Sequence, residues 1–134
     1  MAVQLKDADR LIYECSANGT SLFVVKQNRL NKTIKFLKKA IDLGRFGRIY
    51  QANVNVFWSR TQEYYDLANW RGTKEMDGGA FTNQAGHYVD MIYYLFGNAK
   101  SVLATTKNFA RKIEVEDSGA AIIELKNDIL CTLN

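Results

Sequence analysis

From Ile49 to Trp58 the chain alternates. Tyr50, Ala52, Val54, Val56 and Trp58 fall on one side of an extended backbone, and Gln51, Asn53 and Asn55 on the other. Successive side chains of a β-strand point to opposite faces, so a period of two over ten residues requires a strand in a sheet with one face packed and one open. The open face carries amides and no charge, which suits water, a ligand or a second subunit. Three more strands are predicted downstream, at about Ser101 to Thr106, Gly119 to Leu125 and Ile129 to Leu133, with Asn127-Asp128 turning between the last two. The expected class is α+β (α/β): a mostly antiparallel sheet packed on helices.

The first residues have a different character. Ala8, Leu11, Ile12 and Cys15 follow the i, i+3, i+4, i+7 rule, which predicts an amphipathic helix over Asp7 to Ala17, ended by Asn18-Gly19. Leu22-Phe23-Val24-Val25 is a short, continuously apolar run, the pattern of a strand covered on both faces. A helix, a tight turn and such a strand form the last α-β unit of a doubly wound domain, and one unit cannot make a sheet. The expectation is that something upstream is missing, and that the final apolar strand at Asn134 stops short of a closing element. A second helix is predicted from an Asn31 cap to Leu43-Gly44, with Ile34, Leu37 and Ile41 inward and Lys32, Lys35, Lys38 and Lys39 outward. The lysines read as a solvated face, since no aromatics interleave them as nucleic-acid stacking requires.

Asp77 to Met91 holds the only histidine of the 134 residues, His87. Gly78-Gly79 permits positive φ or close backbone approach before a helix. That helix has a core stripe of Phe81, Ala85, Tyr88, Ile92 and Leu95, with Gly97 ending it. Asn83, His87 and Asp90, spaced four and three residues apart, are expected on another face of the same helix. Histidine is the side chain that changes charge nearest neutral pH, and a carboxylate one turn away can orient its ring and set its basicity. The arrangement suits proton transfer at a cleft edge, although a lone histidine on a helix is usually a structural residue with a satisfied ring. Between strand and helix, Ser59 to Met76 reads as a long irregular stretch, rich in aromatics and in the forked donors Arg60 and Arg71. Tyr and Trp beside Arg is the composition of a sugar or sugar-nucleotide site, or of a flap held by aromatic packing. Glu114, Glu116 and Asp117 are expected in an exposed acidic turn.

Composition narrows the classes. A 134-residue chain with 47% hydrophobic residues is one domain at most. No apolar run approaches the roughly 18 residues of a membrane span, and the first residues lack a leader's apolar region. Cys15 and Cys131, far apart, read as buried thiols in a reducing compartment, so the default location is cytoplasmic. One histidine and two distant cysteines make no conventional zinc site, and no metal is expected. A net charge of +4 is compatible with an anionic small molecule; neither nucleic acid nor membrane is expected as a partner.

Several blocks together resemble one family. Val25-Lys-Gln-Asn-Arg29, Gly44-Arg-Phe-Gly-Arg48, Trp70-Arg-Gly-Thr73, Asp77-Gly-Gly-Ala-Phe-Thr-Asn-Gln-Ala-Gly-His-Tyr-Val-Asp90 and Glu114-Val-Glu-Asp117 are similar, in order, to the Gfo/Idh/MocA oxidoreductases. The resemblance is greatest to the sugar-nucleotide branch, the UDP-N-acetyl-2-amino-2-deoxyglucuronate dehydrogenases of surface-polysaccharide (lipopolysaccharide) biosynthesis. It implies an N-terminal Rossmann domain, a C-terminal domain with a large antiparallel sheet, and hydride transfer between a sugar carbon and NAD or NADP. It also implies His87 as the catalytic acid/base. Arg60, Tyr65, Trp70, Arg71, Asn83 and Gln84 are expected to contact substrate, and Lys26 and Asn28 to lie near the nicotinamide. Asn83 stands where the family commonly has Asp. The family's Gly-x-Gly-x-x-Gly and Glu-Lys-Pro motifs do not occur; the chain has no proline. Residues 1–28 are therefore expected to be the remnant of a dinucleotide-binding domain, and 29–134 a substrate-binding and oligomerisation domain, C-terminally incomplete. The expected partners are a sugar or sugar nucleotide and a second copy of the chain, paired through the open sheet face. The isolated chain is expected to be inactive and to bind no cofactor; the alternative is a non-catalytic sugar-binding or oligomerisation module.

Overall fold

A computed structural model describes residues 4–134. Its centre is a four-stranded mixed sheet, ordered β1-β4-β3-β2, built from β1 (Gln51–Val54), β2 (Ala99–Lys107), β3 (Ser118–Leu125) and β4 (Leu130–Leu133). β2–β3 and β3–β4 pair antiparallel, and β1 pairs parallel with β4. The sheet is thus mostly antiparallel, as expected. The β3–β4 hairpin turns at Asp128, whose φ is 62°, a conformation that Asp and Asn tolerate better than most residues.

The helices are α1 (Leu5–Ala17), α2 (Lys32–Asp42), α3 (Gln62–Asp66), α4 (Gly79–Thr82) and α5 (Gly86–Phe96), with a 3-10 turn at Gln27–Leu30. The core lies between α5 and one face of the sheet. Ile92 packs there on Ala121, Ile123 and Leu125 of β3 and on Cys131 and Leu133 of β4, with Ala52, Val54 and Val56 partly buried beside them. The alternation that starts at Ile49 therefore does aim Ala52, Val54 and Val56 inward. Tyr50 and Trp58 are exposed, and regular strand pairing covers only Gln51–Val54.

Several expectations are corrected. Leu22–Val25 forms no strand and is exposed throughout. An extended apolar run becomes a strand only beside another strand, and none pairs with it among the described residues. α1 forms as expected but buries none of its residues, so Cys15 is only partly covered whereas Cys131 is fully buried. Asn31 occupies the N-cap position of α2 without a side-chain capping bond, and Leu37 stays exposed. The irregular stretch after Ser59 contains the single-turn α3.

The expected helix after Gly79 is two helices. α4 ends at Thr82, where the Ala85 N–H reaches back to the Ala80 carbonyl at 2.7 Å and closes a wide turn before α5 begins. The Asn83 amide folds back to donate to the Asp77 carboxylate, whose other oxygen accepts the Gly72 N–H at 2.7 Å. Phe81, Tyr88 and Ile92 of the expected core stripe do face the core, and Phe96 rather than Leu95 extends it.

Candidate active site

Two neighbourhoods carry chemistry. The first is the N-terminal half of α5. His87 sits on its first turn, half-buried. Asp90, one turn on, holds the Arg29 guanidinium in a two-pronged bond, Nε to Oδ2 at 2.8 Å and Nη2 to Oδ1 at 2.5 Å. Arg29 also lies 5.7 and 5.1 Å from the ring centroids of Tyr93 and Tyr94. The hydrogen bond from Arg29 holds the Asp90 carboxyl below the usual carboxylate range; burial opposes this, and the positive charges of Arg29, Lys26 and His87 add to it. Arg29 is shifted upward by the same bond. The expectation that Asp90 orients the His87 ring is thus corrected. Both of its oxygens serve Arg29, because a bidentate guanidinium outcompetes an imidazole for a carboxylate. Asn83 leaves the histidine's face altogether, since the break between α4 and α5 removes the helical register that would have joined them.

The Arg29–Asp90 pair clamps the Gln27–Leu30 turn against α5. It leaves Lys26 near enough for its charge to act on Asp90. Lys26 and Asn28 are half-buried.

The second neighbourhood is a cleft of about 530 Å3 between the segment after β1, the α4–α5 turn and the start of β3. Arg60, Tyr65 and Gln84 line it, together with Trp58, Phe81 and Arg111. Tyr65 is buried and its ring meets Tyr64 edge-on at 5.2 Å. Burial, and then the charge of Asp77, pushes its phenol upward, so it enters the cleft as a neutral hydroxyl. Trp70, Arg71, Asn83 and His87 lie outside this cleft. Arg71 stacks on Tyr64 at 4.2 Å and donates to the Tyr64 carbonyl at 2.7 Å.

The acidic residues expected in an exposed turn do structural work. Glu116 accepts the Phe81 N–H at 3.1 Å, which ties α4 to the start of β3. Asp117 receives backbone N–H groups from Phe109, Ala110 and Arg111 at 3.0, 2.8 and 3.0 Å. Burial raises its pKa, but these bonds outweigh it and the net shift is downward. Arg111 and Asp117 as cleft residues were not singled out from the sequence, because their placement depends on a loop meeting Ser59 and Arg60 some fifty residues away.

Comparison with known proteins places the chain. Residues 34–134 match the GFO/IDH/MocA C-terminal domain, and the chain belongs to the Gfo/Idh/MocA family. The WlbA dehydrogenase from Bordetella pertussis, solved in complex with NADH and UDP-GlcNAcA, is 52% identical with a TM-score of 0.97; the match covers 100% of this chain and 42% of that one. The WlbA dehydrogenase from Chromobacterium violaceum, in complex with the same two ligands, is 51% identical with a TM-score of 0.96, covering 100% and 39%. The 1-carboxy-3-chloro-3,4-dihydroxycyclohexa-1,5-diene dehydrogenase of Comamonas testosteroni is 28% identical over 133 residues, 96% of this chain and 32% of that protein. The chain thus spans about a third to two-fifths of the length of these relatives. Both WlbA structures contain NADH, the cofactor type expected for the intact parent.

The residues of this chain fit only a margin of such a cofactor. A dinucleotide needs a glycine-rich turn at a helix N-terminus for its pyrophosphate, and the sequence has no Gly-x-Gly-x-x-Gly. Among the described residues no helix is long and apolar enough to cross a membrane.

Proposed function

We propose that this chain is the substrate-side part of an NAD-dependent dehydrogenase acting on a nucleotide-linked uronic sugar. The carrying observation is the likeness over the whole chain, at 52% identity, to a dehydrogenase bound to NADH and UDP-GlcNAcA. In this reading residues 1–28 belong with a dinucleotide-binding domain, and 29–134 form the substrate domain. The unpaired Leu22–Val25 run and the uncovered face of α1 support that division, because both are apolar surfaces shaped to lie within another sheet-and-helix layer.

The dinucleotide, when bound, supplies the hydride acceptor. His87 takes the proton of the sugar hydroxyl on an imidazole nitrogen as the carbinol is oxidised, and returns it to solvent. Arg29 and Asp90 act on this step by position: they hold the Gln27–Leu30 turn against α5 and fix the distance between the Lys26–Asn28 edge and His87. Arg60, Tyr65 and Gln84 contact the substrate in the cleft. Trp70, Arg71 and Asn83 support that contact from outside: Arg71 stacks on Tyr64, and Asn83 fixes the turn that carries Gln84.

The test is His87→Asn, made in the chain joined to a dinucleotide-binding domain and assayed with NAD and UDP-GlcNAcA. Loss of a general base of this kind lowers kcat by roughly a hundredfold to ten-thousandfold while KM changes little. An unchanged kcat would remove His87 from the proton path. The 134-residue chain alone is expected to give no NADH, and detectable reduction of NAD by it would contradict the division into domains.

A further inference from the structure

We infer that the Arg60 end of the cleft is an anion subsite that takes phosphate or carboxylate oxygens of the ligand. Its assignment to a sugar nucleotide rests on the proposed function above; the subsite itself rests on the side chains.

The Arg60 guanidinium carbon lies 4.3 Å from the Trp58 ring centroid and 4.8 Å from that of Tyr64. Arg71 approaches the same Tyr64 ring at 4.2 Å and Trp70 at 5.5 Å. Two cations and three rings therefore form one continuous stack, Trp58–Arg60–Tyr64–Arg71–Trp70. Stacking engages the flat face of a guanidinium and fixes its plane, but it neither neutralises the charge nor uses the in-plane donors. Among the described residues neither arginine forms an ion pair. The Nε atoms of both are buried without a hydrogen-bond partner. Buried donors without acceptors are rare, and a missing ion or ligand is one of their few explanations.

The charges of the cleft point the same way. Arg60 and Arg111 both line it, and Asp117 is the one acidic side chain in its lining. That carboxylate is already saturated: Oδ1 accepts from the Phe109 N–H and the Ser118 hydroxyl, and Oδ2 from the Ala110 and Arg111 N–H groups. Arg111 spends its own donors on the Arg60 and Ala110 carbonyls and the Ser59 hydroxyl. Glu63 on α3 is exposed and lies outside the cleft. Arg60 is thus a pre-aligned guanidinium facing an aromatic cleft, with no anion supplied by its neighbours. Its planar fork matches the paired oxygens of a phosphate or a carboxylate. The beginning of the long loop, in this reading, exists to hold that fork flat.

The experiment is calorimetric titration of the 134-residue chain with inorganic pyrophosphate, with glucuronate and with UDP-GlcNAcA, at low and high salt. The native chain is expected to bind pyrophosphate or glucuronate, more weakly as salt rises. Arg60→Gln should weaken that binding on the order of tenfold or more, and Arg60→Lys should restore part of it. Binding of neither simple anion, or equal binding by native chain and Arg60→Gln, overturns the subsite. If Arg60→Gln loses the native near-ultraviolet dichroism, the readout becomes the fluorescence response of Trp58 to pyrophosphate in the native chain. A response abolished by Trp58→Phe supports the subsite, and the absence of a response overturns it. Arg60-dependent binding of the simple anions without binding of UDP-GlcNAcA leaves the subsite standing and removes the sugar-nucleotide reading. Binding of UDP-GlcNAcA that is indifferent to Arg60→Gln does the reverse.

Discussion

At the residue scale, the pairing of Arg29 with Asp90 decides the character of the candidate active site. The Asp90 side chain is 10% exposed and that of Arg29 33%, so solvent screens the pair only in part. Its bidentate geometry is of the stronger kind, discounted for Arg29's exposure to about 1 kcal/mol. The Asp90 carboxyl is depressed in the folded chain. A depressed carboxylate contributes stability above its unfolded pKa, about 3.9, and that contribution is lost as pH falls through the lower folded value. Asp90→Asn should therefore cost about 1 kcal/mol at neutral pH, and the difference from the native chain should close below about pH 3.9. Urea denaturation of both chains across that range measures it. A gap that stays constant into acid would mean that the pair contributes by packing alone.

At the element scale, α4 matters because its position aims the Gln84 turn into the cleft. Gly79 starts it with φ of 89°, in the region that glycine alone occupies without strain. A Cβ there would also overlap the Glu116 carboxylate, the group that receives the Phe81 N–H and joins α4 to the start of β3. Gly79→Ala is expected to destabilise the chain by about 2 kcal/mol. It should also weaken cleft-ligand binding more than an equally destabilising change elsewhere, because Glu116 must swing away. Chemical denaturation and the same calorimetric titration check the two halves of this statement. The division between α4 and α5 has a comparable local cause: Asn83 is engaged by Asp77, and Ala85 closes on Ala80, so the chain restarts its helix just before His87.

At the scale of the whole molecule, β1, β3 and β4 pack one face on the core and leave the other bare, while β2 is exposed along its whole length. Leu103, Ile122 and Leu130 stand exposed on the bare face, at 73%, 48% and 44%. Leu103 is opposite Ile122 in the β2–β3 register, and Leu130 lies on β4 two residues from Thr132, the partner of Ile122. The amides of Gln51, Asn53 and Asn55 fringe this strip: Gln51 donates to Asn53, which also accepts from the Thr132 hydroxyl, and Asn55 accepts from the Asn134 amide. An apolar strip rimmed by satisfied amides suits pairing with a second copy. The chain is expected to self-associate through it, and Leu103→Lys with Ile122→Lys should yield monomers with little loss of stability. Sedimentation velocity reads the outcome; a monomeric native chain at high concentration would exclude the interface.

What the sequence determined by itself was local. The alternation after Ile49, the three downstream strands and helices α1 and α2 follow from periodicities of 2 and 3.6, the spacings at which a strand or a helix presents one face. The family was legible because its blocks recur in order from Val25 to Asp117. Tertiary structure decided the rest. Whether Leu22–Val25 is a strand depends on a neighbouring strand, which its own residues cannot provide. Whether Asp90 serves His87 depends on Arg29, sixty-one residues away, arriving first. Whether Glu116 and Asp117 are surface charges or anchors depends on which backbone N–H groups the fold brings within hydrogen-bond reach of them. Ion pairs and buried hydrogen bonds are won by the nearest well-aligned partner in space. Spacing along the chain ranks partners only within a helix or a strand.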